Sequence, residues 1–263
     1  MKPSLAASIL GTTVTAALLV GSCSAALAAA PAGSEPTGSE ATGSEATGSG
    51  PTRSAPSARS TAAPRTLSSV QALGAAATAA RISALDKAIP RVTANTYLSA
   101  TDKDRVLGTL NGDRAAMVTL AAKIAADTDL TVATADYHSI FTGYRVFAVA
   151  IPQASYFAAA SGLEDAAIPA LQSAQATLAA AIAGPLASKD TPQIDATMAD
   201  LAGQIRAAQQ SVSGVSAFAL SVTPEQFNGN HEILAAARVS VKAATAAAKK
   251  ARADVASVKA ALT

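Results

Sequence analysis

The chain has one cysteine, no tryptophan, two histidines and only nine aromatic residues in 263. A lone cysteine, Cys23, rules out an intramolecular disulfide, a Cys-x-x-Cys redox pair and a thiolate zinc site. With aromatics at 3%, alanine carries most of the 50% hydrophobic share. Alanine has the best helix propensity and loses no side-chain entropy on burial, but each one buries little area. The expectation is an all-α protein whose helices approach closely, with sparse Leu, Ile, Val and aromatic side chains fixing the packing. Charge of one sign is scarce too: a formal net charge of +2 does not by itself argue for a polyanionic partner. Catalytic patterns are also missing. No Ser/His/Asp grouping, glycine-rich nucleotide loop, His-Glu-x-x-His or paired-carboxylate motif occurs at a usable spacing. The chain reads as non-enzymatic and without a cofactor.

What is present begins at the N-terminus. Lys2 supplies a positive charge, residues 5–20 (LAASILGTTVTAALLV) an apolar core, and two small-residue processing sites follow. This order is that of an export signal over residues 1–28. Cleavage after Ala28 or Ala30 releases a cysteine-free soluble protein. Cleavage before Cys23, in Val20-Gly21-Ser22-Cys23, leaves that cysteine free for lipidation and anchors the protein to the membrane. A retained span is disfavoured, because the sixteen-residue apolar core falls short of the ~20 residues a bilayer needs. Residues 146–160 do not supply another, being interrupted by Pro152, Gln153 and Ser155.

Residues 29–66 read as a linker. A degenerate repeat (GSEPT, GSEAT, GSEAT, GSGPT) leads into a stretch rich in Ser, Ala, Pro and Arg, with too little apolar surface to offset the entropy of ordering. As a coil, residues 31–66 would span about 33 Å end to end. Export also makes an O-glycosylated stalk an alternative reading of this segment.

From residue 67 onward apolar side chains recur at helical spacing. The first helix carries Val70, Leu73, Ala77, Ala80, Leu85 and Ile89, and Pro90 ends or kinks it. Ser99 to Asp102 opens a second helix with Val106, Leu107, Leu110, Met117, Ala121 and Ile124 on one side. Asp127 and Asp129 offer caps for a third, running to about Phe141. Residues 145–151 are expected to be extended or a distorted helix. A fourth helix is broken at Ser161-Gly162, restarted by Asp165 and stopped by Gly184-Pro185. Thr191-Pro192 and the capping box Thr223-Pro224-Glu225-Gln226 open further helices, and a last one runs to about Leu262. Helices of about 25 residues are roughly 38 Å long, and short turns predict one up-and-down antiparallel bundle of five or six helices over residues 67–263.

Three candidate sites stand out. Arg238, Lys242, Lys249, Arg252 and Lys259 fall in a stripe about 100° wide on the last helix. Leu234, Ala237, Val241, Ala244, Ala248, Val255 and Leu262 occupy the adjoining face. The stripe is either a solvated face balanced by neighbouring acids or a contact for an anionic membrane surface or wall polymer. No aromatic interleaves it, so a nucleic-acid partner is not expected. Tyr137, Phe141, Tyr144, Phe147, Tyr156 and Phe157 gather two thirds of the aromatics in 21 residues. They read as core, with a pocket for an apolar small molecule as the alternative. Asp127, Asp129, Asp136 and His138 resemble a cation set. The two Asp suit helix caps, though, and Asp136 and His138 diverge by about 200° on a helix, so no metal site is expected. His231-Glu232 reads as the first turn of the last helix.

The phrases AADTDL, DYHSIFTGYRVFAVAIPQ and VTPEQFNGN give the chain a resemblance, over about residues 80–262, to uncharacterised alanine-rich exported helical proteins of high-GC actinobacteria. The resemblance implies a secreted helical domain in an envelope setting and brings no activity, cofactor or site residue with it. The combined expectation is an exported, non-enzymatic helical protein of the cell envelope or secreted fraction with a structural or interaction role. The alternative is a carrier holding an apolar small molecule between helices near residues 137–157.

Overall fold

The computed structural model describes residues 66–263; the expected signal segment, Cys23 and almost all of the linker lie outside them. Residues 67–263 are 87% helical and contain no strand, in about six helices. Counted as separate α-helical segments, the chain runs α1 (Leu67–Thr93), α2 (Ala100–Ala126), α3 (Leu130–Ser139), α4 (Ile151–Gly162), α5 (Ile168–Ala183), α6 (Pro192–Val212), the short α7 (Val215–Ser221) and α8 (Pro224–Gly229), and α9 (Ala235–Leu262), with α3, α4 and α5 following one another along a single rod. The caps are those the sequence predicts. Ser99 Oγ accepts from the Asp102 N–H, Asp129 from Thr131 and Val132, and Thr191 from Ile194. Thr223 and Gln226 close a full capping box.

Two long hairpins organise the molecule. On α2 the positions 106, 110, 113, 117, 120 and 124 step by 4, 3, 4, 3 and 4, and all but Asp113 are buried. On α1 Val70, Gly74, Thr78, Arg81, Leu85, Ala88 and Val92 are buried on the matching face. This is the spacing of an antiparallel coiled-coil seam. The expected face of α1 is thereby rotated: Leu73 is exposed, and Gly74 takes its place in the contact. Gly74 is needed there for space, since a Cβ would lie 2.8 Å from Ile124 Cγ2. The second hairpin pairs α6 with α9. On α9 the residues Ala237, Val241, Ala244, Ala248, Ala251, Val255, Val258 and Leu262 repeat the 4-3 alternation along the whole helix. The face residues expected there, from Leu234 just before the helix to Leu262 at its end, are all buried.

Between the hairpins, residues 130–183 run as one nearly continuous helical rod with three π turns, Ile140–Tyr144, Val146–Ala150 and Leu163–Ala167. Two of them have the same cause. The Ile151 N–H bonds Val146 O and the Ile168 N–H bonds Leu163 O, each reaching back five residues, and each isoleucine is followed by proline (Pro152, Pro169). Proline has no N–H and its ring crowds the carbonyl four residues back, so widening the preceding turn admits it without ending the helix. The break expected at Ser161-Gly162 is absent: both residues are helical, and the π turn Leu163–Ala167 follows them. At Arg145 the backbone enters the left-handed region (φ 46°), and its carbonyl accepts from Ala148 and Val149 to restart the helix.

The buried side chains fall into two main clusters. One joins α1, α2 and the 140–157 part of the rod. The other joins α5, α6 and α9 with residues 160–171 of the rod. A smaller third cluster, Val149, Val222 and Leu234, covers the middle of the rod beneath α7 and α8. There Gln153, itself buried, donates to Val222 O.

Candidate interaction surface

The α9 seam sets the orientation of everything else on that helix. At 100° per residue its buried positions fill an arc, and the five basic residues fall on one flank of it. Arg238, Lys242 and Lys249 are exposed, whereas Arg252 and Lys259, closest to the buried arc, are half-buried. Which flank this is follows from the neighbours. The opposite flank carries Lys250 and Asp254, and Asp254 feels the charge of Asp200 on α6. Burial, followed by Asp200, raises the Asp254 carboxyl, with Lys250 opposing. The basic flank therefore lies on the side of α9 away from Asp200, towards the rod at its Arg238 end. Arg238 acts on the Tyr156 hydroxyl of α4, which burial pushes up, and Lys189, just past α5, donates to Leu262 O and Thr263 O at the end of α9.

The two rod helices on that side bring no compensating acids of their own. Neither α4 (IPQASYFAAASG) nor α5 (IPALQSAQATLAAAIA) has a charged residue. The two acids between them, Glu164 and Asp165, lie in the π turn. Glu164 is engaged elsewhere, accepting from Ser216 Oγ at 3.2 Å and from the Gly214 backbone, and so caps α7 from the rod. Burial and Asp165 raise its carboxyl, and those two bonds oppose the rise. Among the described residues none of the five cations makes an ion pair. Ion pairs elsewhere include Asp86–Arg114 at 2.5 Å, between α1 and α2, and Lys123–Asp136 at 2.8 Å, between α2 and the rod. Arg252 has its Nε and Nη2 buried with no hydrogen-bond partner.

The six aromatics are brought into the cores. Phe157 is fully buried in the α1–α2 cluster, and Tyr137, Phe141, Tyr144 and Phe147 pack against that cluster, with Tyr137 edge-on to Phe141 at 5.1 Å. Tyr156 points the other way and packs against the second and third clusters. The sequence reading missed Arg81. It is buried in the α1 seam with its guanidinium 4.6 Å from the Phe141 ring centroid and 5.0 Å from that of Phe147, and Nη1 donates to Ala77 O. The space between these two rings is thus filled by the protein's own cation. Arg145 was missed as well: its Nε donates to Asn228 Oδ1, its guanidinium lies over Phe227, and Asn228 Nδ2 donates to Thr142 O. The 4-3 spacing was the signal available for Arg81; for Arg145 it was the interruption by Gly143.

Of the acidic set, Asp129 caps α3 and Asp136 pairs with Lys123. Asp127 sits close enough to Asp136 that burial and this second carboxylate both raise it. Among the described residues no group of three or more His, Cys, Asp or Glu could hold a metal ion. His231 and Glu232 lie in the turn before α9, not in its first turn; the Glu232 N–H bonds Asn230 Oδ1. No family model, curated protein or solved structure matches the chain.

Proposed function

We propose that the chain is an exported, non-enzymatic helical protein of the cell envelope or secreted fraction, whose helices hold an interaction surface for an anionic envelope component. The observation that carries this reading is the α9 flank: five cations beside two uncharged helices, with no ion pair among the described residues. An idle solvated face on a helix this rich in alanine would be expected to mix its charges or meet acids across the groove. The arrangement of the aromatics supports a core role over a carrier role, because Arg81 occupies the space between Phe141 and Phe147 and the other rings pack against a buried cluster. Kinship with alanine-rich exported proteins of high-GC actinobacteria belongs to the same proposal.

Export is tested by the intact mass of the protein recovered from its host. A start at Ala29 or Pro31 gives the secreted form, and a diacylglyceryl-modified Cys23 gives the anchored one. Protein recovered from the cytoplasm with residues 1–28 still attached would sink the export reading.

A further inference from the structure

We infer that the occupant of the basic flank is a flexible linear polyanion, lying lengthwise along α9 beside α5, and that it is not the plane of a membrane. The inference rests on the reading just given and narrows it to one class of partner. From Arg238 to Lys259 the stripe covers 21 residues of helix, about 32 Å, with neighbouring charges about 5 to 10 Å apart along the axis. A row of cations at that spacing suits a chain of regularly repeated phosphate or carboxylate groups.

A membrane surface needs something else. A helix that lies in a bilayer interface inserts a bulky apolar face beside its cations. Here the apolar face of α9 is already spent on the α6 seam and the second core. The exposed residues of α5 are short or uncharged polar ones such as Ala170, Gln172, Ala176 and Thr177. The one large apolar side chain exposed on α9, Val239, lies about 60° round from Lys242, away from the rod. The flank can hold an extended polymer by charge but has nothing to anchor it in lipid.

Arg252 adds a sign that an idle surface would lack. Two of its nitrogens are buried without hydrogen bonds, an arrangement that works against stability. The residue nevertheless lies in the stripe and is only half-buried. Retaining it there is explained by a ligand that uses its charge. Arg252→Met keeps the apolar stem and removes the unpaired donors.

The test uses the full-length protein with long-chain inorganic polyphosphate, phosphatidylglycerol vesicles and phosphatidylcholine vesicles. Polyphosphate is expected to bind, weakening at least tenfold between about 50 and 200 mM salt as released counterions and screening dictate. Lys242→Glu with Lys249→Glu should cost tenfold or more while leaving the melting temperature unchanged, since both side chains are exposed. Arg252→Met should bind polyphosphate more weakly and melt higher. Retention on phosphatidylglycerol vesicles without polyphosphate binding would overturn the polymer inference and leave the anionic-surface reading standing. Absence of binding to either at low salt would overturn both. Polyphosphate binding that survives the double charge reversal would remove the site from α9.

Discussion

Asp113 occupies a seam position of α2, between Leu110 and Met117, where every other residue from Val106 to Ile124 in the 4-3 register is apolar and buried. Burial raises its carboxyl to about 6 from 3.8. Between about pH 4 and 6 the folded chain therefore holds a proton that the unfolded chain has released, so stability falls as pH rises through that window and is flat above it. Asp113→Asn should remove this slope and stabilise the protein at neutral pH by about 1 kcal/mol, discounted because the side chain is only half-buried. Urea denaturation at pH 4.5 and 7 would check it; a slope unchanged in the variant would sink the assignment. The residue was invisible to a search for apolar faces, as was Arg81 on α1. Both are polar groups at core spacing, and a scan for the 4-3 period alone would have found them. The α9 face, by contrast, was legible almost residue by residue, because alanine and valine alternate there with basic residues and little else.

The rod shows where element-level reading runs out. Pro152 and Pro169 look like helix stops, and the sequence offers Ser161-Gly162 as a break. The structure instead carries the helix past both prolines by widening the turn before each, and the repeated Ile-Pro dipeptide was the signal. Propensity rules treat a proline by its local cost, whereas packing of the rod on both hairpins outweighs that cost. Arg145 is the exception that costs backbone energy, as the one described non-glycine residue with positive φ. Its side chain offsets this through Asn228 and Phe227. Arg145→Ala keeps the left-handed backbone and loses those contacts, so it should destabilise by about 1–2 kcal/mol. Arg145→Gly should recover about 1 kcal/mol of that loss, because glycine adopts this φ without penalty. Equal melting temperatures for the two variants would show that the backbone there carries no strain.

At the scale of the whole molecule, the helices expected from the short turns share two cores along one rod. Five or six helices were legible; the division of the core was not, because it depends on which half of a 54-residue rod each hairpin meets. The arrangement has an energetic corollary. A change confined to one seam should loosen that hairpin ahead of the other. Gly74→Ala places a methyl against the γ2 methyl of Ile124, and should cost about 1–2 kcal/mol after its gain in helix propensity. Hydrogen exchange in this variant should speed up across α1 and α2 while α6 and α9 keep their protection. Uniform acceleration of all four helices would mean that the two cores unfold as one unit.

The alanine seam of α9 raises a question of alignment. A knob of one methyl group resembles the next, so sliding α9 along α6 by one heptad would bring Ala237, Ala244, Ala251 and Val258 onto each other's places with little change in shape. A ladder of near-identical rungs needs a stop. Lys189 supplies it, gripping two carbonyls of the final turn, Leu262 O at 2.7 Å and Thr263 O at 2.8 Å, where a cation also suits the helix dipole. At the other end, Leu234 is locked into the third cluster with Val149 and Val222. Clamped at both ends, α9 behaves as a ruler whose marks are its cations, and their positions against α5 are set by residues outside the stripe.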